Sequence, residues 1–117
     1  MLKDTGFQEY ILEQLEGVPG ITSRFMFGGH ALYKDGLIFG MIIDGKLYFK
    51  VDEVSLNDYK KQGMQPFTYT YKSGKTVTMP YYEVSQEIID DRHDLRNWLQ
   101  KSLFASMRGK KKRDKRE

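Results

Sequence analysis

The sequence predicts an α+β fold: a two-layer sandwich in the order helix-β-β-β-helix-β-β-helix, with one antiparallel five-stranded sheet. Three observations carry this expectation. Turn signals at Asp35-Gly36, Asp44-Gly45 and Ser73-Gly74 are too short for the dozen or more residues of a parallel crossover, so the strands they join are antiparallel. The segments around them alternate apolar and polar residues with period two. The first and last segments instead carry apolar residues at helical spacing, and they are the amphipathic partners available to cover an apolar sheet face.

Taken in order, Thr5 to Glu16 reads as a helix. Phe7, Ile11 and Leu15 form one stripe, Thr5 and Gln8 stand in capping-box spacing, and Gly17, Pro19 and Gly20 stop it. Arg24 to Tyr33 reads as one bent strand, with the Gly28-Gly29 pair marking a bulge or a close backbone approach. Asp35-Gly36 suits a type I′ turn, whose two central residues need positive φ, and Asp44-Gly45 repeats that chemistry. Between them Leu37 to Ile43 is apolar at nearly every position, as a central strand is. Leu47, Phe49 and Val51 then alternate with Lys46, Tyr48 and Lys50 in a half-buried strand. Val54 to Gln62 is a short helix with Gly63 at its left-handed C-terminal position. Two further strands follow, around Phe67-Tyr69-Tyr71 and Val77-Met79-Tyr81. Pro80, which has no amide hydrogen for a ladder, belongs at an edge or a bulge. The last helix starts near Asp90 or Asp91, buries Leu95, Trp98, Leu99 and Leu103, and frays near Gly109.

The 117 residues amount to one domain, 39% hydrophobic, which is enough to build a core without staples. The absence of cysteine excludes disulfides, thiolate metal sites and a cysteine nucleophile. The N-terminus leads into no apolar stretch of signal-peptide length and no run approaches a membrane span, so a cytoplasmic location away from membranes is expected. Residues 108–117 hold seven of the 19 basic residues and two of the 16 acidic ones. This tail therefore carries +5 and the body −2, which divides the chain into a domain of residues 1–107 and a basic flexible tail of residues 108–117.

Several separated segments in order closely resemble the TfoX (Sxy) N-terminal domain family in its stand-alone form. They are Met26-Phe27-Gly28-Gly29, Leu32-Tyr33-Lys34-Asp35-Gly36, Phe39-Gly40, Leu47-Tyr48-Phe49-Lys50-Val51-Asp52, Pro66-Phe67-Thr68-Tyr69 and Val77-Thr78-Met79-Pro80-Tyr81-Tyr82. The resemblance runs from the first helix to about Leu103. It implies the same α-β-β-β-α-β-β-α order and kinship with regulators of natural competence, which act with the transcription machinery. Longer members add a helix-rich C-terminal domain, which is not expected here. The family offers no catalytic residues to carry over.

The residues themselves suggest no catalytic, cofactor or metal site. His30 and His93 lie in different halves without the spacing of a helical zinc pair. Asp90, Asp91 and Asp94 near His93 suit a helix N-terminus, where carboxylates complement the macrodipole. His30 reads as a partly buried, hydrogen-bonded histidine, since no nucleophile stands beside it. Gly28-Gly29 lacks phosphate-loop spacing. Tyr48 between Lys46 and Lys50 would make an aromatic-basic patch of the kind that stacks RNA bases, but the chain lacks the order and signature of that module.

The partner signal is the tail, where Arg108, Lys110, Lys111, Lys112, Arg113, Lys115 and Arg116 are candidates for weak, salt-sensitive nucleic-acid binding. The same cations also serve as a solubilising segment that complements the last helix's negative end. The expected function is a regulatory binding module acting through protein contacts. A purely structural homodimerisation domain is the alternative, and an enzyme or small-ligand binder comes third.

Overall fold

The structure, a computed structural model, describes residues 3–26 and 28–115, with the side chains of residues 3–5 left out. The chain runs α1 (Lys3–Gln14), β1 (Ile21–Met26), β2 (Gly29–Lys34), β3 (Leu37–Ile43), β4 (Lys46–Lys50), α2 (Leu56–Lys61), β5 (Pro66–Thr70), β6 (Thr76–Glu83), α3 (Gln86–Ile89) and α4 (Arg92–Lys115). All strand pairings are antiparallel, in one open sheet ordered β1-β2-β3-β4-β6-β5. Among the described residues no helix is long and apolar enough to cross a membrane.

The sheet has six strands rather than five. The stretch expected to be one bent strand is a hairpin, with Arg24 opposite Ala31, Phe25 opposite His30 and Met26 opposite Gly29. Gly28, in the connection at positions 27–28, has φ +75, a conformation open to glycine at little steric cost. Gly29 faces the carbonyl of Ile42 so closely that an added Cβ would lie 2.1 Å from its oxygen. The glycine pair is therefore a turn followed by a close approach, not a bulge.

Both Asp-Gly turns have positive φ at both residues: Asp35 +50, Gly36 +84, Asp44 +53 and Gly45 +71. β3 lies inside the sheet, as its apolar run predicts. The strand irregularities sit elsewhere. One falls between Leu32 and Tyr33, where Gly40 and Ile38 are the partners on β3 and Phe39 is left over. The other falls between Pro66 and Thr68, opposite the stretch of β6 that contains Pro80. Pro80 thus occupies a bulge on an interior strand, and its carbonyl accepts from Val51 N (2.9 Å).

The helices cover one side of the sheet. Ile11 of α1 and Leu15 just after it, Tyr59 of α2, Ile88 and Ile89 of α3, and Leu95, Leu99 and Leu103 of α4 pack with Leu32, Phe39, Ile42, Leu47, Phe49 and Tyr82 in one core. The helical turn α3 was not expected. α1 begins at Lys3, two residues before the Thr5 at which the sequence places its cap; the Thr5 side chain lies outside the described residues, and Gln8 donates to Ser23 Oγ (2.9 Å). Asp91 caps α4, its Oδ1 accepting from the amides of His93 (2.9 Å) and Asp94 (3.1 Å).

α4 does not fray near Gly109 but continues to Lys115. Its last turns are tied to the loop after β4. Arg108 makes a two-pronged pair with Asp52 (Nε–Oδ2 2.6 Å, NH2–Oδ1 3.0 Å), and Lys112 reaches Glu53 (3.2 Å). Asp52 Oδ1 also accepts from Val54 N and Ser55 N, both at 3.1 Å, so one carboxylate fixes the turn into α2 and the end of α4 together. The Arg108 hydrogen bonds hold its pKa down at about 2, against an ordinary 3.8. A lowered folded-state pKa gives stability that is present above pH 4 and is lost as pH falls towards 2. Linkage puts this at no more than ~2.5 kcal/mol. Solvent screening of a pair whose Arg108 side chain is 37% exposed lowers it to about 1–2 kcal/mol. Acid unfolding followed by circular dichroism is expected to show that loss in the wild type and not in Asp52→Asn, whose stability is already lower at neutral pH.

Candidate functional site: the uncovered face of the sheet

Alternation along each strand sends a second set of side chains to the side without helices. On β1 to β3 these include Arg24, Met26, Ala31, Ile38, Met41 and Ile43, placed opposite the core residues Leu32 and Ile42. On the other half they are Phe67 and Tyr69, continued by Tyr71, facing with Val77, Met79 and Tyr81. An antiparallel sheet solvated on one side has polar residues there. Here the set is mainly aliphatic, methionine and aromatic.

The sheet is also bent around this side. β6 pairs with β4 only through Tyr81, Tyr82 and Glu83, while Thr76, Val77 and Thr78 pair with β5 alone. The distal part of the β5–β6 hairpin is thus a two-stranded arm. Between this arm and β1–β3 lies a half-open cleft of about 650 Å³. Met26, Ile38, Met41 and Ile43 line it from the sheet, and Phe67, Tyr69, Tyr71 and Met79 from the arm. Tyr69 and Tyr71 are each about half exposed, at 52% and 51%, with their rings in edge contact at 5.0 Å. Asp44 is the one lysine, arginine, aspartate or glutamate in the lining.

Tyr48 does not form the aromatic-basic patch that its position between two lysines suggests. It is buried, and its ring meets Phe67 edge-on at 5.1 Å, so neither ring face is free for a base. Lys46 is 3.9 Å from Glu83, and burial, followed by the charge of Arg113, pushes the Lys50 pKa down. His30 is among the cleft-lining residues but packs edge-on against Phe25, 5.6 Å between ring centres. It is half-buried as expected, yet among the described residues it makes no side-chain hydrogen bond. His93 is exposed at the start of α4. Among the described residues, no group of three or more His, Cys, Asp and Glu is placed to hold a metal ion.

The basic cluster is spread over the end of a helix. Arg108 is bound to Asp52, Lys110 to Asp114 (2.8 Å) and Lys112 to Glu53. Among the described residues Lys111, Arg113 and Lys115 form no ion pair, and Arg116 lies outside the described residues.

A family model described as the TfoX N-terminal domain matches residues 13–106. The chain belongs to the TfoX N-terminal domain family. It is also 33% identical over 106 residues to Protein Sxy of Escherichia coli (strain K12), a match that takes in 90% of this chain and 50% of that protein. The chain spans about half the length of the curated relative it matches. Within this TfoX N-terminal domain the matched span includes every strand and α2 and α3. It ends at Ser106, so the ion-paired end of α4 falls beyond it.

Sequence reasoning located the strands that build the cleft but not the cleft. The available signal was the run of methionines and aromatics on the side opposite Leu47 and Phe49. Two other functional-looking positions were missed because they are polar. Ser102 and Ser106 lie on the buried side of α4 and donate to the carbonyls of Phe39 and Ile38, respectively.

Proposed function

We propose that this chain is a regulatory binding module of the kind found in competence regulators, acting in the cytoplasm through protein contacts on the concave, helix-free face of its sheet. The observation that carries this reading is the apolar cleft. A lining of methionine, isoleucine and tyrosine with a single carboxylate suits an apolar segment of a partner protein, and methionine-rich surfaces adapt to such segments. Phosphate-bearing ligands find no cation among the lining residues. The family relationship supports the regulatory part. The reading assigns no catalysis, because His30, packed against Phe25, has no nucleophile or second titrating group arranged with it.

Nucleic-acid attraction enters only through the end of α4, and the three cations without ion pairs among the described residues there correspond to a log–log salt slope of about −2.7 on duplex DNA, compared with about −4.5 if five took part. A salt titration of DNA binding checks this against the triple variant Lys111→Gln, Arg113→Gln, Lys115→Gln, which keeps the Arg108–Asp52 pair. The variant is expected to lose the binding.

The test of the main reading is affinity capture from the native cell after nuclease treatment, using wild type and a folded Met41→Asp variant. Retention of the same partner by wild type and its loss with Met41→Asp is the expected result. Partners that disappear with nuclease and ignore Met41→Asp would contradict it.

A further inference from the structure

The arm that closes one side of the cleft ends in an edge strand without the usual protections. Edge strands are commonly guarded by lysine, proline or a bulge that blunts their free backbone groups. The opposite edge, β1, carries Arg24 and is held to α1 through the Gln8–Ser23 bond. β5 has Pro66 at its start only, opposite the bulge of β6, and from Phe67 through its end to Tyr71 the chain carries no charge and no further proline.

The direction of its backbone groups follows from one bond. Tyr71 N donates to Lys75 O at 2.8 Å. Hydrogen-bonded and non-bonded pairs alternate along an antiparallel ladder. Tyr69–Val77 is therefore a bonded pair, and Thr68–Thr78 and Thr70–Thr76 are non-bonded pairs. The hydroxyls of Thr70 and Thr76, 3.0 Å apart, agree with the closer side-chain approach of a non-bonded pair. The N–H and C=O of Thr68 and Thr70 consequently point away from β6, where the sheet has no further strand.

We infer that β5 pairs antiparallel with β5 of a second copy of this chain, about a two-fold axis at Tyr69, to form one continuous sheet. The sequence of the edge is self-complementary in that register. Thr68 meets Thr70 of the other copy and exchanges both backbone hydrogen bonds with it, Tyr69 meets Tyr69, and Phe67 meets Tyr71. Aromatic and threonine cross-strand pairs of this kind are favourable, and no like charges oppose one another. Lys72, the first charged residue beyond, falls opposite Pro66. A two-fold interface requires such a self-complementary patch. The two Phe67-Tyr69-Tyr71 rows then join into one aromatic stripe on the helix-free side, so each copy extends the arm wall of the other's cleft. The inference rests on the binding-module reading and names a second copy as one of its protein contacts.

Light scattering on the isolated full chain over a concentration series tests it. Wild type is expected at twice the monomer mass. Thr70→Pro removes an outward amide that β6 does not use, which an edge strand tolerates, and is expected to weaken dimerisation at least tenfold with an unchanged circular dichroism spectrum. If that variant misfolds, the Thr68→Lys, Thr70→Lys double variant leaves the β5–β6 ladder in place, sets lysine against lysine, and is expected to be monomeric. A wild-type monomer at every concentration, or a dimer whose mass neither folded variant changes, would overturn the inference. Partner capture by a monomeric chain, lost with Met41→Asp, would end the dimer while leaving the binding-module reading in place. A dimer that captures nothing would do the reverse.

Discussion

Ser102→Ala is expected to lower the unfolding free energy by about 2–4 kcal/mol, through loss of a hydroxyl that takes the place of a ladder bond. Ser102 is fully buried in the middle of α4. Its hydroxyl donates to Phe39 O and accepts from Lys50 N at 3.1 Å. Phe39 is the residue left over where the β2–β3 register shifts, and Lys50 is the last residue of β4, so the hydroxyl bridges two backbone groups that the bulged ladder does not join. Alanine leaves a buried carbonyl and a part-buried amide together without a partner, at about 1–3 kcal/mol for the first and about 1 kcal/mol for the second. Ser106→Ala removes one bond, from a hydroxyl to Ile38 O (2.6 Å), and is expected to cost about 1 kcal/mol. Denaturant unfolding of the two variants checks the order as well as the size. Equal losses would mean that the bridge to Lys50 contributes nothing.

The second large effect is expected at Gly29. Its added Cβ would stand 2.1 Å from the Ile42 carbonyl oxygen and 3.1 Å from the Ile43 side chain, so Gly29→Ala forces β2 away from β3. A loss of about 3 kcal/mol is expected from overpacking against backbone, which cannot rotate out of the way. Gly28, next to it, has φ +75 and nothing within 4 Å of an added Cβ. Gly28→Ala therefore costs only the left-handed conformation, about 1–2 kcal/mol. Thermal or denaturant unfolding of the pair separates contact from conformation. Met26 and Ile43 flank this point, so Gly29→Ala is also expected to distort one wall of the cleft.

What could be read from the residues was what depends on neighbours in the chain. Asp35-Gly36 and Asp44-Gly45 declare their hairpins because the positive φ values are needed at those two positions alone. The connection at positions 27–28 was missed because a phenylalanine precedes its glycine, and that pair lacks the Asp or Asn that marks a type I′ turn. Counting one strand in place of two followed from that. The stripe Leu95, Leu99 and Leu103 identified the buried side of α4, while Ser102 and Ser106 on the same side did not show, since the need for them arises from a bulge in a distant strand. Charge composition marked residues 108–117 as a tail. The carboxylates of Asp52 and Glu53, more than fifty positions earlier, pair with Arg108 and Lys112 on the helix that runs to Lys115, and no local pattern reports such a pairing.

The cleft was hidden for a related reason. Alternation assigned Tyr48 to the side away from Leu47 and Phe49, correctly, but gave no measure of curvature. The short β4–β6 pairing and the bulge near Pro80 set the β5–β6 hairpin apart as an arm beside that side, where Phe67 covers Tyr48. A face expected to be wet is instead a concave apolar surface.

That surface carries its own reporters. Of the six methionines, Met26, Met41 and Met79 line the cleft, Met64 is buried in the core and Met107 is exposed on α4. Methyl spectra of methionine-labelled protein, recorded while the captured partner is titrated in, test the binding face directly. Shifts confined to the resonances of Met26, Met41 and Met79 are predicted, with Met64 and Met107 unmoved. A response at Met107 alone, with the three cleft methyls unchanged at saturation, would place the contact at the end of α4 and contradict the account.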